Sequence, residues 1–341
     1  MVSVKKPLDQ LWARGKEFLG VEYAIVGGAM TWVSERNLVS SISNAGGFGV
    51  IASGAMSPDL LRNEIQETQR LTQKPFGVNL ITLHPQLMEL IDVCVDTNVT
   101  HVVLAGGLPP AQAIARLKDK GLKVICFSPA LVLAKKLIKL GVDALIIEGM
   151  EAGGHIGPVS TSVLVQEIIP HITQIPVFVA GGIARGETIA SYLELGASGC
   201  QLGTRFVCAT ESIAHPNFKK AFIRAQARDA TISPQLDPRF PIIPVRALSN
   251  QATQDFIAYQ RELIEKVDRQ EVAQKEAQLN IEHFWAGALR RAVIEGDVER
   301  GSVMAGQSVG MVTQEQSTQE IIDELISQAR QFTSPHQIHA S

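Results

Sequence analysis

The chain has 341 residues, 45% hydrophobic and 19% charged, enough apolar material for one large domain with an insertion or for two smaller domains. A formal net charge of −3 without a long basic run argues against nucleic acid or a membrane surface as a principal partner. Only 5% is aromatic, which suits buried parallel strands and helix packing better than an aromatic-rich β-sandwich.

The first eighteen residues, MVSVKKPLDQLWARGKEF, lack the apolar core of a signal peptide, and no apolar stretch is long enough to span a membrane. Cys94, Cys126, Cys200 and Cys208 form no CxxC pair and read as buried free thiols, with neither metal nor disulfide expected. Together these features predict a cytoplasmic protein.

Short apolar runs ending in Gly or polar residues then recur at 23–29, 48–54, 76–82, 101–107, 123–129, 144–150, 176–182 and 200–206. Amphipathic stretches separate them. Ser57–Leu71 opens with an N-cap serine and a proline at the first helical position, while Pro129–Leu140 and Arg185–Leu195 repeat Leu, Ile and Ala at three- and four-residue intervals. Eight strands alternating with about seven helices is the α/β pattern of a (β/α)₈ TIM barrel. A doubly wound sheet usually has fewer strands, and no run here enters a G-x-G-x-x-G turn.

After Phe206 the texture changes. Residues 211–228 read as helix, DATISPQLDPRFPIIPVRAL is proline-rich and irregular, and 249–283 reads as one long polar helix. Glycines return at 296–312, ahead of a last helix over Thr318–Phe332. The expected division is a barrel from 1–206 and 286–341, the latter a tail packing back on it, with a helical cap over 207–285 inserted after the eighth strand.

In such a barrel the loops at the C-terminal ends of the strands build the active site. Gly27-Gly28, Gly106-Gly107, Gly153-Gly154, Gly181-Gly182 and Gly203-Thr204 all fall there. The turns after the seventh and eighth runs, AGGIARGETI and CQLGTRF, offer backbone N–H groups and a helix N-terminus for a phosphate, with the Thr204 hydroxyl as a further donor. A double glycine alone marks only a tight turn; two on adjacent strands favour a bound phosphate. Asn79 presents an amide to a heterocycle edge, and Met30 can lie against a flat ring. With His155 set among glycines in EGMEAGGHIGP, these residues outline a flat phosphorylated cofactor, FMN.

The segments GGAMTWVSERNLVSSISNAGGFGVIASG, KPFGVNL, IIEGMEAGGHIGP, VFVAGGIARGETI, LGTRFVCATES and GDVERGSVMAGQ resemble the nitronate monooxygenase family of FMN-dependent (β/α)₈ oxidoreductases, from about Tyr23 to Phe332. EGMEAGGHIG, NQATQDF and GSVMAGQ are similar to its flavin-dependent enoyl-acyl-carrier-protein reductase II branch. The resemblance implies FMN contacts at Gly28, Ala29, Met30, Asn79, Glu148, Gly153, Gly181, Gly182, Gln201, Leu202, Gly203 and Thr204, and a catalytic role for His155. Nitronate monooxygenases typically carry glutamine at the position of Glu148, whereas the enoyl reductases resemble this chain in having glutamate.

The implied activity is NADH- or NADPH-dependent reduction of a small-molecule or carrier-bound enoyl thioester in fatty-acid synthesis, with His155 as acid. Oxidation of alkyl nitronates by oxygen, NADH:quinone reduction and a non-catalytic flavin barrel are the alternatives, and a homodimer is compatible with each. Lys220, Arg224 and Arg228, four residues apart with Lys219 beside them, read as one cationic helix face suited to an acidic carrier or a phosphate.

Overall fold

The computed structural model describes residues 6–285 and 287–334; Met1–Lys5, Ala286 and the last seven residues of the expected tail, 335–341, lie outside the described residues. The strands are β1 (Ile25–Gly27), β2 (Gly49–Ala52), β3 (Phe76–Ile81), β4 (His101–Ala105), β5 (Lys123–Phe127), β6 (Ala144–Glu148), β7 (Gly154–His155), β8 (Val177–Ala180), β9 (Gly199–Leu202), β10 (Ala230–Ile232) and β11 (Val245–Leu248).

Eight of them form one parallel sheet in the order β1-β9-β8-β6-β5-β4-β3-β2. It closes through Phe48, just before β2: the Gly27 N–H donates to the Phe48 carbonyl (2.9 Å), and the Phe48 N–H donates to the Ile25 carbonyl (2.8 Å). The result is the (β/α)₈ barrel that the alternating pattern predicts. Continuous apolar runs such as Val102-Val103-Leu104 are buried throughout because the barrel packs side chains inside and helices cover its outside.

The helices follow local rules. In Pro58–Leu71 the Ser57 hydroxyl accepts from the Leu60 N–H (3.3 Å), and Leu61, Ile65 and Thr68 share the buried face. The N-terminal mouth of the barrel is sealed by the helix Ala13–Leu19: the Phe18 carbonyl pairs with His101 Nε2 (3.0 Å), and its ring packs on Phe178. All four cysteines are free and buried, and burial pushes the Cys94, Cys126 and Cys208 thiols up to about 12. No described helix is long and apolar enough to cross a membrane.

Beyond β9, three expectations change. The helix expected over 211–228 is Pro216–Arg224, begun by Pro216 with the His215 ring accepting from the Asn217 N–H (3.1 Å). Arg228 therefore lies in a separate turn, Ala227–Asp229. Lys219 is buried, donating to the Ala209 carbonyl (2.8 Å) and to Glu315 (3.2 Å), because it shares the inward side of the helix with Phe218 and Phe222. Only Lys220 and Arg224 remain as an exposed cationic pair on that helix. The long helix of 249–283 is two, Gln251–Asp268 and Gln274–His283, broken where Gln270 takes a left-handed backbone at φ 62°.

Phe218 and Phe222 belong to the main core, whereas Phe240, Phe256, Leu263, Ala277 and Ile281 form a second, smaller one. An antiparallel sheet, β10-β11-β7, packs Ala230 and Leu248 into the main core; in it Val245 lies opposite His155 and Arg246 opposite Gly154. The final helix, Thr318–Thr333, starts with a capping box of Ser317 and Glu320.

Candidate active site

The ends of β3, β6, β8 and β9 define the site. Across the parallel ladder Glu148 lies opposite Ala180, and Ala180 opposite Gln201, so all three share one face of the sheet. The small Ala180 leaves room between the two longer side chains. Asn79 and Gln201 are buried, yet neither side-chain amide has a protein hydrogen-bond partner among the described residues. Glu148 is half-buried and likewise takes no hydrogen bond or ion pair among the described residues. Asn79 on β3, Glu148 on β6 and Gln201 on β9 thus keep unpaired polar atoms around the barrel, a donor and acceptor set for a polar ligand. Burial pushes the Glu148 carboxyl up to about 8, leaving it neutral at pH 7 and able to donate as well as accept.

The double glycine after β8 supplies the second half of the site. Gly181 and Gly182 adopt φ of 98° and 73°, and a Cβ on Gly181 would stand 2.9 Å from the Gly149 carbonyl oxygen. Only glycine fits that conformation so near another backbone. The amides of Gly182 and Gly203 enter none of the turn and loop hydrogen bonds among the described residues, while the Ala180–Gln201 register turns the Gly181 amide toward β9. The amides of Gly182 and Gly203 can cradle an anion. The start of the helix Gly186–Glu194, expected to help, is already occupied: the Gly186 N–H donates to Gln328 Oε1 (2.8 Å) of the last helix, which packs against it.

Two turns close the rim. The Gly28 N–H donates to the Leu202 carbonyl (2.9 Å), which brings Gly28, Ala29 and Met30 beside Gln201, Leu202, Gly203 and Thr204. Ser34 Oγ fixes this first turn, donating to the Gly28 carbonyl (2.8 Å) and accepting from the Met30 N–H (2.9 Å). The Met30 sulfur would be 3.5 Å from a Cβ on Gly203. On the other side the tail inserts Gly306, whose N–H donates to Thr204 Oγ1 (3.0 Å). A Cβ on Gly153 would meet the Gly306 nitrogen at 2.6 Å. Thr204 Oγ1 thus already accepts one hydrogen bond, and its own hydrogen remains to donate.

His155 stands exposed on β7, and the walls around its ring lower its pKa by desolvation. The loop that carries it is anchored at Glu151. Its Oε2 accepts from the Thr161 N–H and hydroxyl (both 2.9 Å), its backbone carbonyl accepts from the Gln307 N–H (2.9 Å), and Thr161 Oγ1 reaches the Gly181 carbonyl (3.1 Å). Glu151 is an orienting residue, tying the His155 loop, the double glycine and the tail together.

The sequence-derived residues therefore converge on one end of the barrel. The sequence reading missed Gly306, Thr161 and Arg246. The glycines of GSVMAGQ were a signal for the first; Arg246 in PVRAL had none.

The amides and side chains left open at this barrel end suit an anionic, flat heterocycle. The nitronate monooxygenase family profile matches residues 13–94 and 86–328. FabK from Thermotoga maritima shares 37% identity and superposes with a TM-score of 0.84 over 93% of this chain and 96% of its own. A Rhodococcus jostii protein named (3aS,4S,5R,7aS)-5-hydroxy-7a-methyl-1-oxo-octahydro-1H-indene-4-carboxyl-CoA dehydrogenase is 37% identical over 65% of this chain, which spans 62% of that relative's length. A probable nitronate monooxygenase of Staphylococcus saprophyticus is 27% identical over 95% of this chain and 99% of its own. With a family match over most of its length on an eight-stranded barrel, the chain belongs to the nitronate monooxygenase family.

Proposed function

We propose that this protein is an NAD(P)H-dependent enoyl-acyl-carrier-protein reductase, taking an enoyl thioester, NAD(P)H and a proton to the saturated thioester and NAD(P)⁺. The observation that carries the reading is the 37% identity with FabK, an enoyl-acyl-carrier-protein reductase II, over 93% of this chain. The carboxyl-CoA dehydrogenase name of the Rhodococcus relative supports the same class, redox chemistry on an acyl thioester.

Gly28, Ala29, Met30, Asn79, Glu148, Gly153, Gln201 and Leu202 would surround the ring of FMN, with its phosphate on Gly181, Gly182, Gly203 and Thr204. When bound, FMN supplies the hydride chemistry between nicotinamide and the thioester's β-carbon. The protein's own part is to bind, orient and handle the proton. His155 is the group that protonates, or hydrogen-bonds to, the negative charge developing on the substrate. Glu148, neutral at pH 7, presents a donor where nitronate monooxygenases typically present a glutamine amide. Because its surroundings lower the pKa of His155, turnover that needs the imidazolium falls as pH rises through a value below 6.5, the ordinary value.

One purified, yellow sample tests the reading. NAD(P)H oxidation that depends on crotonyl or longer enoyl thioesters is expected, and His155→Ala should lower it about 10²- to 10⁴-fold while retaining FMN. Oxygen uptake with an alkyl nitronate and no nicotinamide would select the monooxygenase instead. Turnover of His155→Ala near the wild-type rate would remove His155 from the mechanism.

A further inference from the structure

Three cations are buried among the described residues, and two of them have a carboxylate partner, Arg205 with Glu324 and Lys219 with Glu315. The third, Arg246 on β11, is 4% exposed, and among the described residues no carboxylate lies within ion-pair distance of it. A buried guanidinium without a counter-charge costs stability, so it persists where its hydrogen bonds hold something in place. Its Nε donates to the Met150 carbonyl (2.9 Å) and its Nη1 to the Ala230 carbonyl (2.5 Å). Those carbonyls belong to different parts of the molecule. Met150 starts the loop that leaves barrel strand β6 and carries His155, and Ala230 begins β10.

The backbone repeats the connection. Arg246 lies opposite Gly154 and Val245 opposite His155, and the Ile156 N–H donates to the Pro244 carbonyl (3.1 Å). β7 is only two residues long, too short to hold its own register. The planar fork of an arginine spans two carbonyls at fixed angles, which a point charge does not. Charge is not the link to His155, whose lowered pKa comes from desolvation alone. Glu151, which ties down the same loop from the barrel side, is the acid among the described residues whose field reaches Arg246.

We propose that Arg246 is a positioning residue that sets the place of His155, clamping the Met150–Ile156 loop to the β10-β11 strands through its fork. The proposal rests on His155 acting on the substrate, and its test separates the two. In the flavin-loaded full chain, Arg246→Met removes the fork at similar length, and Arg246→Lys keeps the charge and one of the two bonds.

Arg246→Met should lower kcat with an enoyl thioester about 10- to 100-fold, the scale for misplacing a reacting group by about 1 Å. KM should move less than threefold. NAD(P)H oxidation with an artificial acceptor such as ferricyanide, which needs no proton from His155, should stay within twofold of wild type. Arg246→Lys should recover part of kcat. Amide exchange across 150–156 should quicken at least tenfold in Arg246→Met, a readout that holds whatever reaction His155 serves. Unchanged exchange in that segment overturns the clamp. So does a loss that strikes the enoyl and ferricyanide reactions equally, since that marks general damage. If Arg246→Met does not fold, the Lys variant decides by the same two measurements: faster exchange across 150–156 with an enoyl-specific loss upholds the clamp. If the exchange quickens but His155→Ala retains turnover, the clamp stands and the assignment of His155 falls.

Discussion

Glu148 and His155 are shifted by the same cause in opposite directions, since burial disfavours the charged form of each. The consequence for stability can be worked out for Glu148. Its carboxyl titrates at about 8 in the folded chain against an ordinary 4.5, so the fold prefers the protonated group. That preference contributes fully below 4.5 and is lost as pH rises through 8. The wild-type unfolding temperature should therefore fall between pH 6 and 9 more steeply than that of Glu148→Gln, which cannot ionise. Parallel curves for the two proteins would mean that Glu148 ionises normally. The site residues themselves were largely legible in the sequence, because glycines at strand ends and a histidine among them are local features. Lys219 was not: whether a lysine at a given helical position faces solvent depends on what lies beneath it, and here Ala209 and Glu315 do.

Among elements, the start of the helix Gln251–Asp268 shows a local rule carrying a long-range tie. Asn250 Oδ1 accepts from the Thr253 N–H (3.2 Å), an ordinary N-cap, while its Nδ2 donates to the Val298 and Gly301 carbonyls (2.7 and 2.8 Å). Asp and Asn cap equally well, so Asn250→Asp isolates the second function. It should cost about 1–3 kcal/mol in denaturant unfolding, because two carbonyls lose their donor and face a carboxylate. A loss below about 0.5 kcal/mol would assign Asn250 to capping alone. The barrel elements were readable from period and punctuation. The one-turn break at Gln270 was not, for the sequence there has no glycine or proline to announce it.

At the scale of the whole molecule, the two apolar cores imply two levels of stability. Phe256 is 1% exposed at the centre of the smaller core, 5.0 Å from the Phe284 ring and 5.1 Å from Trp285. Truncating it to alanine should cost about 3–5 kcal/mol, more than a small core easily bears. We expect Phe256→Ala to melt in two steps, the first loosening residues 251–283 while the yellow flavin spectrum persists. A single transition with simultaneous loss of flavin would mean that the cores unfold as one.

The sequence by itself determined the eight strands, their closure into a barrel, the glycine-lined rim at their C-terminal ends and the family. Each is written in short-range pattern: apolar runs, helical spacing, turn residues and contiguous motifs. Only the tertiary structure decided that His155 is paired with β11, that Arg246 clamps its loop, and that Gly306 threads between Gly153 and Thr204. Those contacts join residues far apart in the chain. They depend on how loops close and which surfaces pack, and no local period encodes either.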